Sequence, residues 1–126
     1  MIKTISTPNA PAAIGPYSQA KAYGGVVYTS GQIPIDPATG ACAGETIVEQ
    51  AEQAMKNVGA VLEAAGTCFE NVIKTTCFLA NMSDFAAFNE IDARYFTSNP
   101  ARSCVAVKEL PKGVLCEVEA IAKINA

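Results

Sequence analysis

The stretch PARSCVAVKELPKGVLCEVEAIA, residues 100–122, decides the reading of the fold. It holds two β-forming runs, Arg102 to Lys108 (RSCVAVK) and, reaching slightly beyond the stretch, Leu115 to Ile124 (LCEVEAIAKI). Between them stands Leu110-Pro111-Lys112-Gly113, a turn signal, so the spacing predicts a hairpin. Strand alternation places Cys116, Val118, Ala120, Ala122 and Ile124 on one face and Glu117, Glu119 and Ile121 on the other. The uniformly apolar face calls for covering helices. The mixed face suits a subunit interface with pockets in it.

Working upstream, Asn71 to Ala80 (NVIKTTCFLA) reads as a central strand. It follows a helix that starts at Thr46, whose spacing to Glu49 makes a capping box, and carries Ile47, Ala51, Met55, Val58, Leu62 and Ala65 at helical intervals before Gly66. Gly24 to Gly31 (GGVVYTSG) reads as a buried strand closed by glycines. Between the strand at 71–80 and the stretch at 100–122, Asn81 or Ser83 is placed to cap a second helix. Phe85, Phe88, Asp92 and Tyr95 fall along one side of it, and Asn99-Pro100 ends it. No repeat or linker divides the chain, so one α+β domain over 1–126 is expected.

The composition narrows the chemistry. The chain is 50% hydrophobic and 17% charged, which at 126 residues favours burial between subunits and a homo-oligomer. No apolar run is long enough to span a bilayer, and the first ten residues lack the apolar core of a secretory signal, so a cytoplasmic protein is expected. A net charge of −3 with scattered acids argues against nucleic acid and anionic lipid as partners. Five cysteines without a CxxC spacing and the lack of any histidine disfavour a disulfide framework and a zinc site. Neither a metal nor a cofactor is expected. Mechanisms built on Ser-His or Cys-His pairs are excluded, which leaves carboxylates, thiols, tyrosines, lysines and arginines.

Arg102, one of two arginines, opens a strand, and its planar fork suits a small carboxylate. A structural ion pair with Glu117 or Glu119 across the hairpin is the other reading. Cys104 shares the strand face of Arg102 and is either a buried small hydrophobe or a thiol activated by the cation. Glu117 and Glu119 can reach one face, where they are either solvated strand charge or desolvated acids that hold a water. Tyr17 in GPYSQA, and Ser30 with Gly31 in TSGQIP, stand where they line a pocket or pack strand ends; Asn89 and Tyr95 are weaker candidates on the second helix.

Taken together, NAPAAIGPYSQA (9–20), TSGQIPIDPATG (29–40), LEAAG (62–66), VIKTTCFLANMSDFAAFNE (72–90) and the stretch at 100–122 resemble the RidA (YjgF) family in order and spacing. The resemblance implies a chorismate-mutase-like α+β fold with two helices on one face of a mixed sheet, and a homotrimer with sites in clefts between subunits. It implies hydrolysis of 2-aminoacrylate and 2-aminocrotonate, released by pyridoxal-phosphate-dependent serine and threonine dehydratases, to 2-oxo acids and ammonia. By motif, Arg102 would clamp the substrate carboxylate and Glu117 would position or activate water. Tyr17, Ser30, Gly31, Asn89 and Cys104 would line the pocket, with Glu119 a structural acid. The chain departs from the family in a short Thr97-Ser98-Asn99 connection beside the motif arginine, which bears on pocket shape. The alternative function is non-catalytic binding of small 2-oxo acids in the same cleft. A ribonuclease reading is disfavoured by the acidic balance and the absent histidine.

Overall fold

A computed structural model describes residues 1–124, so the last two positions of the expected 1–126 domain lie outside the described residues. The strands are β1 (Lys3–Ile5), β2 (Ala20–Tyr23), β3 (Val26–Thr29), β4 (Val72–Leu79), β5 (Ala101–Ala106) and β6 (Cys116–Lys123); the helices are α1 (Ile47–Ala64) and α2 (Phe85–Tyr95). They form one six-stranded sheet in the order β1-β2-β3-β6-β4-β5. All pairings are antiparallel except β4 with β5. Both helices cover one face, and the fold is α+β with a mixed sheet, as expected.

The apolar pattern of β6 explains its central place. Cys116, Val118, Ala120 and Ala122 are all buried against α1, together with Ala51, Met55, Val58 and Leu62 from the helix. Thr46 caps α1 in the box expected from its spacing: its hydroxyl accepts from the Glu49 N–H, and the Glu49 carboxylate accepts from the Thr46 N–H. The start of α2 differs from expectation. A 3-10 turn over Met82–Asp84 leads into it, and neither Asn81 nor Ser83 makes a side-chain cap bond there. The helix stops at Tyr95, before Pro100, and Asn99 takes a left-handed φ of 51° in the short connection.

The hairpin expected from residues 102–124 does not form. β5 lies parallel to one side of β4, and β6 runs antiparallel along the other. The physical reason is competition for the interior of the sheet. β6 offers a continuous apolar face and takes an interior position, whereas β5, largely exposed, takes the edge by a β4-α2-β5 crossover. The segment between them crosses the end of β4, where Val107 donates to Leu79 and Ala80 donates to Leu115. The Leu-Pro-Lys-Gly signal becomes a 3-10 turn within that crossing, with Lys112 at φ 59°. β3 and β4, connected through α1, run parallel to each other, with β6 inserted between them.

Strands β1 and β2 extend the sheet beyond the expected set. Gly24 and Gly25, at φ 61° and 80°, form the two-residue turn joining β2 to β3, a conformation that other residues adopt only with strain.

Two buried amides hold the loops that approach the sheet end. The Gln19 side chain donates to the carbonyls of Thr7, Ala10 and Pro11 and accepts from the Thr7 N–H. Asn57, 1% exposed on the core side of α1, donates to the Ile33 and Ile35 carbonyls at 2.9 Å each. Asn57→Ala strips both carbonyls of their side-chain donor, so a stability loss of about 1–3 kcal/mol is expected in urea unfolding. A loss under about 0.5 kcal/mol would show that water replaces the amide at no cost.

Candidate active site

The residues singled out in the sequence fall into two groups. Glu117 projects from β6 on the sheet face that no helix covers, opposite Phe78 of β4. It presses on Gly31, just past β3: a Cβ at Gly31 would stand 1.9 Å from Oε2 and 2.7 Å from Cδ of Glu117. Residue 31 therefore lacks space for any side chain while Glu117 keeps this position. The contact is held by a bracket of backbone bonds, Gln32 N–H to Val118 O at 2.7 Å and Val118 N–H to Gln32 O at 3.0 Å. Ser30 is tied from both ends, its N–H donating to Gln19 O at 2.8 Å and its Oγ to Ser18 O at 2.6 Å. Burial raises the Glu117 carboxyl above the ordinary carboxylate range, and the negative Glu119, two residues along the same face, adds to the rise.

Tyr17 is 54% exposed, and its hydroxyl accepts from the Ile14 N–H at 3.4 Å. It borders a cavity of about 630 Å³ that also touches Gly31, Ile33, Ile35, Pro111 and Lys112. The turn around Lys112 thereby becomes part of the pocket wall.

Arg102 lies in the second group. It projects from β5 toward α2, and its side chain is 26% exposed. Nη1 donates to Asn89 Oδ1 at 2.8 Å and to Asp92 Oδ2 at 3.2 Å, and the guanidinium carbon stands 5.5 Å from the centre of the Phe85 ring. Among the described residues, Nε and Nη2 make no hydrogen bond, so one edge of the fork is held and the other is open. A cavity of about 290 Å³ adjoins it, bordered by Asn89, Asp92, Phe96, Asn99 and Pro100. The short Thr97–Asn99 connection thus forms a wall of this cavity.

Cys104 shares that face and lies in register with Cys77 of β4. Burial pushes its thiol up, against the pull of Arg102, so the activated-thiol reading loses the electrostatic support it was expected to have. The expected ion pair from Arg102 to Glu117 or Glu119 is likewise corrected, because the acid that meets Arg102 is Asp92. The cause is register. Arg102 is level with Thr75, on the helix-covered face, whereas Glu117 and Glu119 are level with Phe78 and Thr76, on the open one. Within one protomer Arg102 and Glu117 are on opposite sides of the sheet. Among the described residues, no group of three or more Cys, Asp or Glu side chains is placed to hold a metal ion, and no helix is long and apolar enough to cross a membrane.

The sequence places Asp92 on the side of α2 that carries Phe85, Phe88 and Tyr95; its pairing with Arg102 depends on where β5 lies. Gln19 and Asn57 lie outside the sequence expectations, although an asparagine on the apolar side of α1 is itself a signal of a buried polar contact.

A six-stranded mixed sheet with two helices on one face, an arginine at one edge and a half-buried glutamate behind a glycine define the class of small α+β domain to which known proteins can be compared. The family model described as Endoribonuclease L-PSP matches residues 7–124, and the chain belongs to this family, the RidA (YjgF) proteins. A 2-iminobutanoate/2-iminopropanoate deaminase of Salmonella typhimurium is 52% identical over 97% of this chain and 98% of its own. A Lactococcus lactis protein whose name, AldR, is that of a regulator is 51% identical over 99% of this chain and all of its own. The crystal structure of Escherichia coli TdcF with bound serine superposes with a TM-score of 0.92 at 43% identity, covering 98% of this chain and 99% of that one.

Proposed function

We propose that the protein hydrolyses 2-imino acids, and their enamine tautomers 2-aminoacrylate and 2-aminocrotonate, to 2-oxo acids and ammonia. The observation that carries this reading is the half-held guanidinium of Arg102: its open edge, Nε and Nη2, matches the two oxygens of a carboxylate. Deaminases about half identical over nearly the full chain support the reaction type. The serine bound to TdcF has the same carboxylate-bearing skeleton.

In this proposal Arg102 clamps the carboxylate and Glu117 draws a proton from water as the water oxygen bonds to the imine carbon. The glutamic acid then returns the proton to nitrogen, giving the carbinolamine; the hydroxyl proton passes through the same carboxylate to nitrogen as the C–N bond breaks, so the carbonyl forms and ammonia leaves. Tyr17, Ser30, Gly31, Asn89 and Cys104 line the pocket. The imine carbon is already electrophilic, so presenting water to a carbon held in register is the main task, and the reaction requires no cofactor. Because Arg102 and Glu117 of one chain are on opposite faces of its sheet, the proposal has each site completed by a neighbouring copy in a homotrimer. A stable monomer in sedimentation equilibrium at micromolar concentration would remove the site.

The test follows the absorbance of the enamine/imine as threonine dehydratase consumes threonine. Faster decay with the protein present supports the reading, and unchanged decay overturns it. The regulator name of AldR favours a second reading, sensing of 2-oxo acids without turnover. Glu117→Gln separates the two: it should abolish hydrolysis and spare binding of 2-oxobutyrate if the protein is an enzyme.

The raised Glu117 carboxyl has a further consequence. A base must be ionised to act, so kcat/KM should rise with pH through a midpoint above the ordinary carboxylate range. Removing the neighbouring charge in Glu119→Gln should move that midpoint to lower pH, and an unmoved profile would exclude Glu117 as the titrating base. For stability the sign is opposite, because the folded state binds this proton more tightly than the unfolded chain. The contribution of Glu117 is most favourable at low pH and declines as pH rises through the raised folded value.

A further inference from the structure

We propose that Asp92 is the positioning residue for Arg102, one wall of a cradle on α2 that aims the open edge of the guanidinium at the substrate carboxylate, and that the fold retains it at a cost in stability. The inference rests on the carboxylate-clamp reading of Arg102.

Three residues of α2 build the cradle. Phe85, Asn89 and Asp92 follow the four-then-three spacing that stacks side chains along one side of a helix. The guanidinium carbon stands over the Phe85 ring, 5.5 Å from its centre, while Asn89 and Asp92 both accept from the same nitrogen, Nη1. Two acceptors on one nitrogen, with a ring near the guanidinium carbon, restrain the direction of the fork. Among the described residues Nε and Nη2 make no hydrogen bond, which leaves that edge to a ligand.

The cost is visible in the atom the cradle leaves unsatisfied. The Asp92 side chain is 14% exposed, and its second oxygen, Oδ1, is buried with no hydrogen-bond partner. A carboxylate satisfied at one oxygen only is a poor choice for packing helix against sheet, where an apolar side chain would serve. Burial raises the Asp92 carboxyl even though Arg102 pulls it down, which agrees with a desolvated charge incompletely compensated.

Stability and function should therefore move in different directions when Asp92 is removed. For Asp92→Ala we expect an unchanged or higher thermal midpoint. We expect about tenfold weaker binding of 2-oxobutyrate by calorimetry, about tenfold higher KM in the imine assay, and kcat within about threefold. Asp92→Asn keeps an acceptor at the same reach and should bring affinity back to within about threefold of the parent. Unchanged affinity and KM in Asp92→Ala would overturn the proposal, as would affinity lost only in step with a falling thermal midpoint, the mark of a purely structural residue. If the parent protein binds 2-oxobutyrate through Arg102 without hastening imine decay, the deaminase reading fails and the binding arm still decides Asp92. Absence of any Arg102-dependent carboxylate binding overturns both.

Discussion

Replacing Arg102 with alanine is expected to remove about 2–4 kcal/mol of transition-state stabilisation, roughly a thirtyfold to thousandfold fall in kcat/KM. The expectation follows from a charge-assisted, two-point contact made by a side chain that is 26% exposed and already held at Nη1 by Asn89 and Asp92. Arg102→Lys should recover little, because an ammonium has no second edge to present once the first is engaged by the helix. Cys104→Ala should retain substantial turnover, since burial keeps the thiol protonated and water is the proposed nucleophile. The enamine-decay assay on the three variants, each checked for unchanged assembly, decides the matter. Inactivity of Cys104→Ala as complete as that of Arg102→Ala would replace the water mechanism with a covalent one.

Gly31→Ala is expected to lower kcat about a hundredfold with little effect on the binding of 2-oxobutyrate. The added methyl would overlap Oε2 of Glu117 at 1.9 Å and crowd Cγ at 3.0 Å, so the carboxylate must swing out of its present position. The backbone bonds between Gln32 and Val118 prevent the loop from backing away instead. No left-handed conformation is involved, and the glycine is required for space alone. A kcat within threefold of the parent would mean that Glu117 reaches the water from another rotamer, and would sever the link between this contact and catalysis. The acid limb of the pH profile supplies a second reading, because a carboxylate displaced toward solvent should titrate at lower pH.

Local patterns in the sequence were sufficient for the elements whose signals are short-range. The capping box at Thr46 and Glu49, the apolar stripe of α1 and the alternation of β6 each depend on residues a few positions apart, and each is found where expected. The same alternation correctly separated Glu117 and Glu119 from the buried face. Strands β1 and β2, at one end of the sheet, carry no such signal, because three or four residues hold too little periodicity to stand above their turns. The hairpin failed for a different reason. A turn signal specifies a change of direction, but pairing is settled by which strands compete best for the interior of the sheet, and β6 outcompetes β5 there.

The site divides along the same line. Residue types, strand faces and the RidA-like motifs determined the candidates, since chemistry and alternation are properties of the chain itself. The partner of Arg102 was decided only in three dimensions: the β4-α2-β5 crossover brings Asp92 and Asn89 beneath it and leaves Glu117 on the far face. So was the reason for Gly31, which the sequence presents as an ordinary turn glycine and the fold requires as room for a carboxylate eighty-six positions away along the chain. Contacts of that range depend on strand order and register, which emerge from the competition of all the strands for one core rather than from the residues flanking any one of them.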